Sequence, residues 1–296
     1  MSDNPHQLLD ALQPEKQFFI GIDSDGCVFD SMEIKHKECF CPEYIRHFRL
    51  QRVSKYARET WEFVNLYSKT RGTNRFKALV RSMQLLAERK EVRQRGTEIT
   101  DLAPLNEWMK QESKLGNPAL EIYTKKTDNP VLQQVLAWSK DVNSSIEKMV
   151  SDVPPFPLVK ESLEKIYPGA DLMVVSQTPV AALKREWEEH QIDKYVRMIA
   201  GQEYGTKTEH ITYAAKNKYP DNQILMIGDA PGDLAAAKDN GVLFFPVNPG
   251  HEEQSWERFF NEGAERFFSG TFAGKYEDGL IKEFNALLPE NPGWSK

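Results

Sequence analysis

Between residues 157 and 247, short apolar runs and amphipathic stretches alternate, and few chain architectures accommodate that order. The spacing predicts a helix over Pro157 to Ile166, a strand over Asp171 to Val175, a helix over Val180 to His190, and a strand over Val196 to Ala200. A helix over Lys207 to Lys218, a strand over Gln223 to Ile227, a helix over Leu234 to Asn240 and a strand over Val242 to Val247 follow. Upstream, Gln17-Phe-Phe-Ile-Gly-Ile22 is nearly continuously apolar and ends at a polar turn, as a strand covered on both faces does. Strands that alternate with helices form a mostly parallel sheet with helices on both faces, so the expected fold class is α/β with a doubly wound parallel sheet.

From about Glu43 to Val150 the period changes. Apolar residues recur three and four apart in Tyr44-Ile45-Phe48, in Trp61-Val64-Leu66-Tyr67 and in Phe76-Leu79-Val80-Met83-Leu86, which predicts helices and no strand. Further helices are expected over Leu105 to Lys114, Ala119 to Lys126 and Pro130 to Met149. The prolines of Ser151-Asp-Val-Pro-Pro-Phe-Pro157 then read as a linker. The expected domains are therefore 1–34 with 152–296 as the α/β core, and 35–151 as an inserted all-helical domain.

The 296 residues carry 38 basic and 44 acidic side chains, a net charge of −6, and an acidic balance argues against nucleic acid as the main partner. No apolar run approaches the roughly 18 residues of a membrane span, so no membrane association is expected. The first ten residues lack the basic start and apolar stretch of a signal peptide, and three cysteines make no disulfide framework, so a cytoplasmic protein with free thiols is expected.

In open parallel sheets, ligands bind beyond the carboxyl ends of the strands. The polar residues there are Asp23 and Asp25 in Asp23-Ser-Asp-Gly-Cys-Val-Phe-Asp30, Ser176 after Leu172-Met-Val-Val175, Lys207 ahead of a helix, and Asp229 and Asp233 in Gly228-Asp-Ala-Pro-Gly-Asp233. Asp23, kept ionised by a divalent cation and by Lys207, can attack phosphorus, while Asp25 can carry the proton that the leaving oxygen requires. Ser176 and the backbone N–H of Gln177 can donate to phosphoryl oxygens, and Lys207 adds a point charge. Few hard oxygen ligands suit Mg²⁺ rather than zinc or copper. A calcium loop of the EF-hand kind is excluded, because the twelfth residue counted from Asp23 is Ile34 where a Glu is needed. In the helical segment, Arg71 and Arg75 stand near a glycine between two helical stretches and are candidates to clamp an anionic substrate group; a solvated turn is the competing reading.

Taken in order, these four stretches resemble the motifs of the haloacid dehalogenase (HAD) superfamily, over residues 17–31 and about 155–250. The resemblance implies a Rossmann-like core, an aspartyl-phosphate on Asp23, Asp25 as acid and base, and Ser176 and Lys207 as holders of the phosphoryl group. It also implies a Mg²⁺ site at Asp23, Asp229, Asp233 and the backbone carbonyl of Asp25. An insert between the first two motifs is similar to a C1-type helical cap. Asp25, two residues after Asp23, resembles the phosphatases and phosphomutases of that superfamily rather than its dehalogenases or phosphonatases. Cys27 departs from the Thr more common there and reads as a small buried filler. The expected activity is Mg²⁺-dependent hydrolysis of a small phosphorylated metabolite. A phosphomutase using the same residues is the alternative, with a phosphonatase and a non-enzymatic scaffold behind it.

Overall fold

The computed structural model describes residues 5–295. Its central strand, β1 (Phe18–Ile22), has parallel neighbours on both sides. On one side lie β2 (Ala170–Val175) and β3 (Met198–Ala200); on the other lie β4 (Ile224–Gly228) and β5 (Leu243–Pro246), giving the order β3-β2-β1-β4-β5. Alternation along each strand divides the apolar side chains between two cores. Ile20, Ile22, Leu172, Val174, Leu225 and Ile227 join Leu163, Trp187, Trp256 and Phe259 on one face. Phe19, Met173, Val175, Met226 and Phe244 meet Ile211, Ala237 and Phe284 on the other. Gly21 shares this second face, where a Cβ would stand 3.0 Å from Val175 Cγ2 and 3.3 Å from Met226 Sδ, so glycine lets the neighbouring strands fill the space. The doubly wound parallel sheet expected from the alternation is the one observed.

The strands lie within about two residues of their expected positions, with larger departures at several helix ends. The helix after β4 spans Pro231–Asp239 rather than starting at Leu234, because Pro231 fills a first-turn position and Asp233 accepts hydrogen bonds there. The helix from Lys207 ends at Ala214 rather than at Lys218. The expected linker is itself tied to the core: Phe156 N–H donates to the Val28 carbonyl at 2.9 Å.

The chain divides into two units, Met1–Met32 with Asp152–Leu288, and Glu33–Ser151 with Pro289–Lys296. Residues 289–295 thus group with the helical segment, whereas the expected assignment placed 152–296 in the core. In the helical unit, Phe40, Tyr44, Trp61, Phe76, Trp108 and Trp138 form one apolar cluster. No described helix is long and apolar enough to cross a membrane.

Candidate active site

The first strand delivers Asp23 to the sheet rim: Ile22 pairs with Val174 and Ile227, and Asp23 N–H then donates to the Ile227 carbonyl at 2.9 Å. The chain turns at once. Ser24 C=O accepts the N–H groups of Cys27, Val28 and Phe29, while Gly26 adopts a φ of 76°, which glycine tolerates best. Asp23 is buried; its Oδ1 accepts the Ser24 N–H at 2.8 Å and its Oδ2 receives Lys207 Nζ at 2.7 Å.

Lys207 opens its helix behind a reciprocal cap, in which Thr206 Oγ1 accepts the Glu209 N–H and the Glu209 carboxylate accepts the Thr206 N–H. Its ammonium spans two carboxylates, with Asp233 Oδ1 at 2.6 Å. The other oxygen of Asp233 accepts the N–H groups of Asp229 at 3.2 Å and Ala230 at 2.9 Å, fixing both ends of that side chain. Burial disfavours the Lys207 charge, but Asp23 and Asp233 outweigh it and hold the ammonium well above its ordinary range. For Asp23, burial is the largest influence and pushes the carboxyl up; Lys207 opposes it, Asp233 and Asp229 add to it, and the net is well above the usual carboxylate range.

Asp23, Asp229 and Asp233 are all buried, and each offers an oxygen within 4.8 Å of the others. That donor set, hard oxygens only and few of them, fits a magnesium ion. The Asp25 carboxylate lies outside the cluster and is oriented by two hydroxyls: Thr178 Oγ1 donates to Oδ2 at 2.7 Å, and Ser31 Oγ donates to Oδ1. Neither Thr178 nor Ser31 was among the residues picked out from the sequence. The available signal was a hydroxyl residue at a short offset, two positions after Ser176 and one after Asp30.

Ser176 is buried two residues beyond Val174, on the rim that carries Asp23, and its Oγ accepts the Thr178 N–H at 3.2 Å. Gln177 is exposed, and its side-chain amide donates to the Gly205 carbonyl at 2.8 Å, which ties this loop to the one before Lys207. The Cys27 thiol is buried; burial first, then Asp229, Asp23 and Asp233, push it well above its ordinary range, as suits an inert filler.

Arg71 and Arg75, the candidates for an anion clamp with a solvated turn as the competing reading, both make hydrogen bonds inside the helical unit. Arg71 is buried and donates to the Leu66 carbonyl at 3.0 Å. Arg75 donates to the carbonyl and hydroxyl of Ser139 and to Asn143 Oδ1, and its guanidinium lies 5.0 Å from the centre of the Phe40 ring. Burial lowers Arg75 to about 10. The Arg75 bonds tie the helix Arg75–Glu88 to the helix Pro130–Met149, whereas the Arg71 bond closes the turn after the helix Ser54–Asn65. A second acidic group in this unit, Glu43, His47 and Asp141, is already spanned by Arg46, 2.5 Å from Glu43 and 2.6 Å from Asp141, and is an ion-pair network.

A family model described as haloacid dehalogenase-like hydrolase matches residues 103–247, which include Ser176, Lys207, Asp229 and Asp233. A comparison with curated proteins gives no match. Among solved structures, a protein of Lactobacillus delbrueckii subsp. bulgaricus provisionally named a phosphoglycolate phosphatase aligns with a TM-score of 0.50 and 14% identity, over 88% of this chain and 100% of that one. A haloacid dehalogenase-like hydrolase of Streptococcus pneumoniae aligns at 0.45 and 16%, over 82% and 90%. A hydrolase of Pseudomonas syringae aligns at 0.47 and 13%, over 82% and 90%. The four motifs stand in order along one sheet rim, and over residues 103–247 the chain is similar to the haloacid dehalogenase-like hydrolases.

Proposed function

We propose that this protein is a Mg²⁺-dependent phosphatase that hydrolyses a small soluble phosphomonoester, a phosphorylated metabolite of the cytoplasm, through a phosphoryl group carried on Asp23. The observation that supports this reading most is the buried triad in which Lys207 lies 2.7 Å from Asp23 and 2.6 Å from Asp233, with Asp229 alongside. A carboxylate, a fixed cation and a place for a second cation are what phosphoryl transfer demands of a protein.

A carboxylate oxygen of Asp23 attacks phosphorus, and the bond to the ester oxygen breaks as Asp25 gives that oxygen its proton. Asp25 then takes a proton from water; the water oxygen bonds to phosphorus, the bond to Asp23 breaks, and phosphate leaves. Thr178 and Ser31 hold Asp25 in one orientation through both turns of this cycle. Ser176 and Lys207 bind the phosphoryl oxygens. When bound by Asp23, Asp229, Asp233 and the Asp25 carbonyl, Mg²⁺ supplies positive charge against the transferring group.

Incubation of the chain with a panel of phosphomonoesters, with Mg²⁺ and without, tests the reading. Free phosphate should accumulate only with the metal, and a hydroxylamine-labile phosphoryl label should appear on the wild type and be absent from Asp23→Asn. Isomerised sugar phosphate with no net phosphate release would replace hydrolysis by the mutase reaction.

A further inference from the structure

Two buried tryptophans touch the loop that carries both Asp23 and Asp25. Trp187, on the helix Val180–Glu189, donates its Nε1–H to Ser24 Oγ at 3.0 Å. Trp256, on the helix Glu252–Arg258, donates its Nε1–H to the Cys27 carbonyl at 2.7 Å. Both indoles and Ser24 are fully buried.

We propose that Trp187 and Trp256 are positioning residues for the phosphoryl-transfer step, holding Asp23 and Asp25 in register by anchoring the turn between them to two separate helices. The proposal rests on the phosphatase reading given above.

Ser24 joins these contacts. Its N–H donates to Asp23 Oδ1, its carbonyl closes the turn by accepting three N–H groups, and its hydroxyl is the atom that Trp187 holds. A shift of Ser24 therefore moves the Asp23 carboxylate and the start of Asp25 together. Trp256 secures the far side of the same turn, so the loop is fixed at two points three residues apart. Indole is suited to this, being rigid and a donor only. Burial of a tryptophan in this chain does not itself bring such a bond: the Nε1 atoms of Trp61 and Trp138, both buried in the helical unit, have no hydrogen-bond partner among the described residues. Among the described residues, Trp187 and Trp256 both bond the one turn, at Ser24 and at Cys27. Ångström-scale misplacement of a reacting group lowers turnover far more than it lowers binding.

The test compares Trp187→Phe, Trp256→Phe and Ser24→Ala with wild type in the full chain, using the best phosphomonoester from the panel and Mg²⁺. Each substitution removes one neutral hydrogen bond while keeping most of the volume. The expected result is a fall in kcat of roughly three- to tenfold with KM within about twofold. Trp187→Phe combined with Ser24→Ala should lose no more than either alone, because both remove one bond. In ¹⁵N spectra, the Trp187 indole N–H should exchange slowly in wild type and rapidly in Ser24→Ala. If Trp187→Phe fails to fold, Ser24→Ala reads the same bond from its other end. An unchanged kcat in Ser24→Ala and Trp256→Phe, additive losses, or unaltered indole exchange overturns the positioning role. Active wild type with such results fails this proposal alone, whereas wild type that releases no phosphate from any ester fails the phosphatase reading and takes the proposal with it.

Discussion

Lys207 places one positive charge between two buried carboxylates, and its side chain is only 15% exposed. Removing one member of a buried charge pair leaves the others without compensation and costs about 3–5 kcal/mol. Lys207→Met should accordingly lose that much stability in urea titration without metal, and recover part of it on adding Mg²⁺, since a cation that binds only the folded chain stabilises it. Equal midpoints for variant and wild type would remove Lys207 from the charge balance. One turn along the same helix, His210 is fully buried, and burial, followed by repulsion from Lys207, lowers it from 6.5 to about 4. The folded chain then keeps His210 neutral where the unfolded chain protonates it. Its contribution is complete above pH 6.5 and is lost as pH falls towards 4, roughly 3 kcal/mol in all. Stability measured from pH 7 down to pH 4 should fall less steeply in His210→Gln than in wild type; parallel slopes would exclude this origin.

The ends of β1, β2 and β4 were legible because each is a short apolar run stopped by a residue with chemistry, and Asp23, Ser176 and Asp229 each stand just past one. The start of the helix after β4 was less legible, because its first turn, Pro231-Gly-Asp233, carries no apolar residue to set a period. That turn nevertheless decides the site. A Cβ on Gly228 would stand 2.4 Å from both Cβ and Cγ of Asp233, closer than any packed pair, so Gly228 makes room for the helix to begin there. Gly228→Ala should force the helix start away, cost about 1–3 kcal/mol, and weaken the Mg²⁺ dependence of turnover through a displaced Asp233. An unaltered metal titration would show that the helix yields without moving Asp233. Arg75 illustrates what period and charge conceal. A basic cluster beside a glycine describes a solvated turn and a brace between helices equally well, and only the positions of Ser139 and Asn143, more than 60 residues away, distinguish them. Arg75→Ala should lower stability by about 2–4 kcal/mol and change kcat/KM by one common factor across the ester panel. A loss confined to one substrate class would restore the clamp.

The polypeptide passes from one unit to the other three times, at residues 32–33, 151–152 and 288–289. The change of hydrophobic period in the sequence sets the expected boundaries at 34–35 and 151–152, beside the first two of these passages. The third could not be read from the sequence, since residues 289–296 include only one aromatic side chain and no periodic face, and chain order alone attached them to the preceding helix, Lys275–Leu287. What binds the tail is a set of contacts with the helical unit: the Arg89 guanidinium lies 4.4 Å from the Trp294 ring centre, Phe63 meets that ring edge-on at 5.4 Å, and Lys69 N–H donates to the Pro289 carbonyl at 3.2 Å. A cation over an indole and an aromatic edge contact together contribute on the order of 1–2 kcal/mol when partly exposed. Trp294→Ala should therefore speed hydrogen exchange in the helices Ser54–Asn65 and Arg75–Glu88, which carry or adjoin Phe63 and Arg89, and leave β1 and β4 as protected as in wild type. Were the tail instead a part of the α/β unit, the same substitution would loosen Lys275–Leu287 first, and the two exchange patterns cannot be confused.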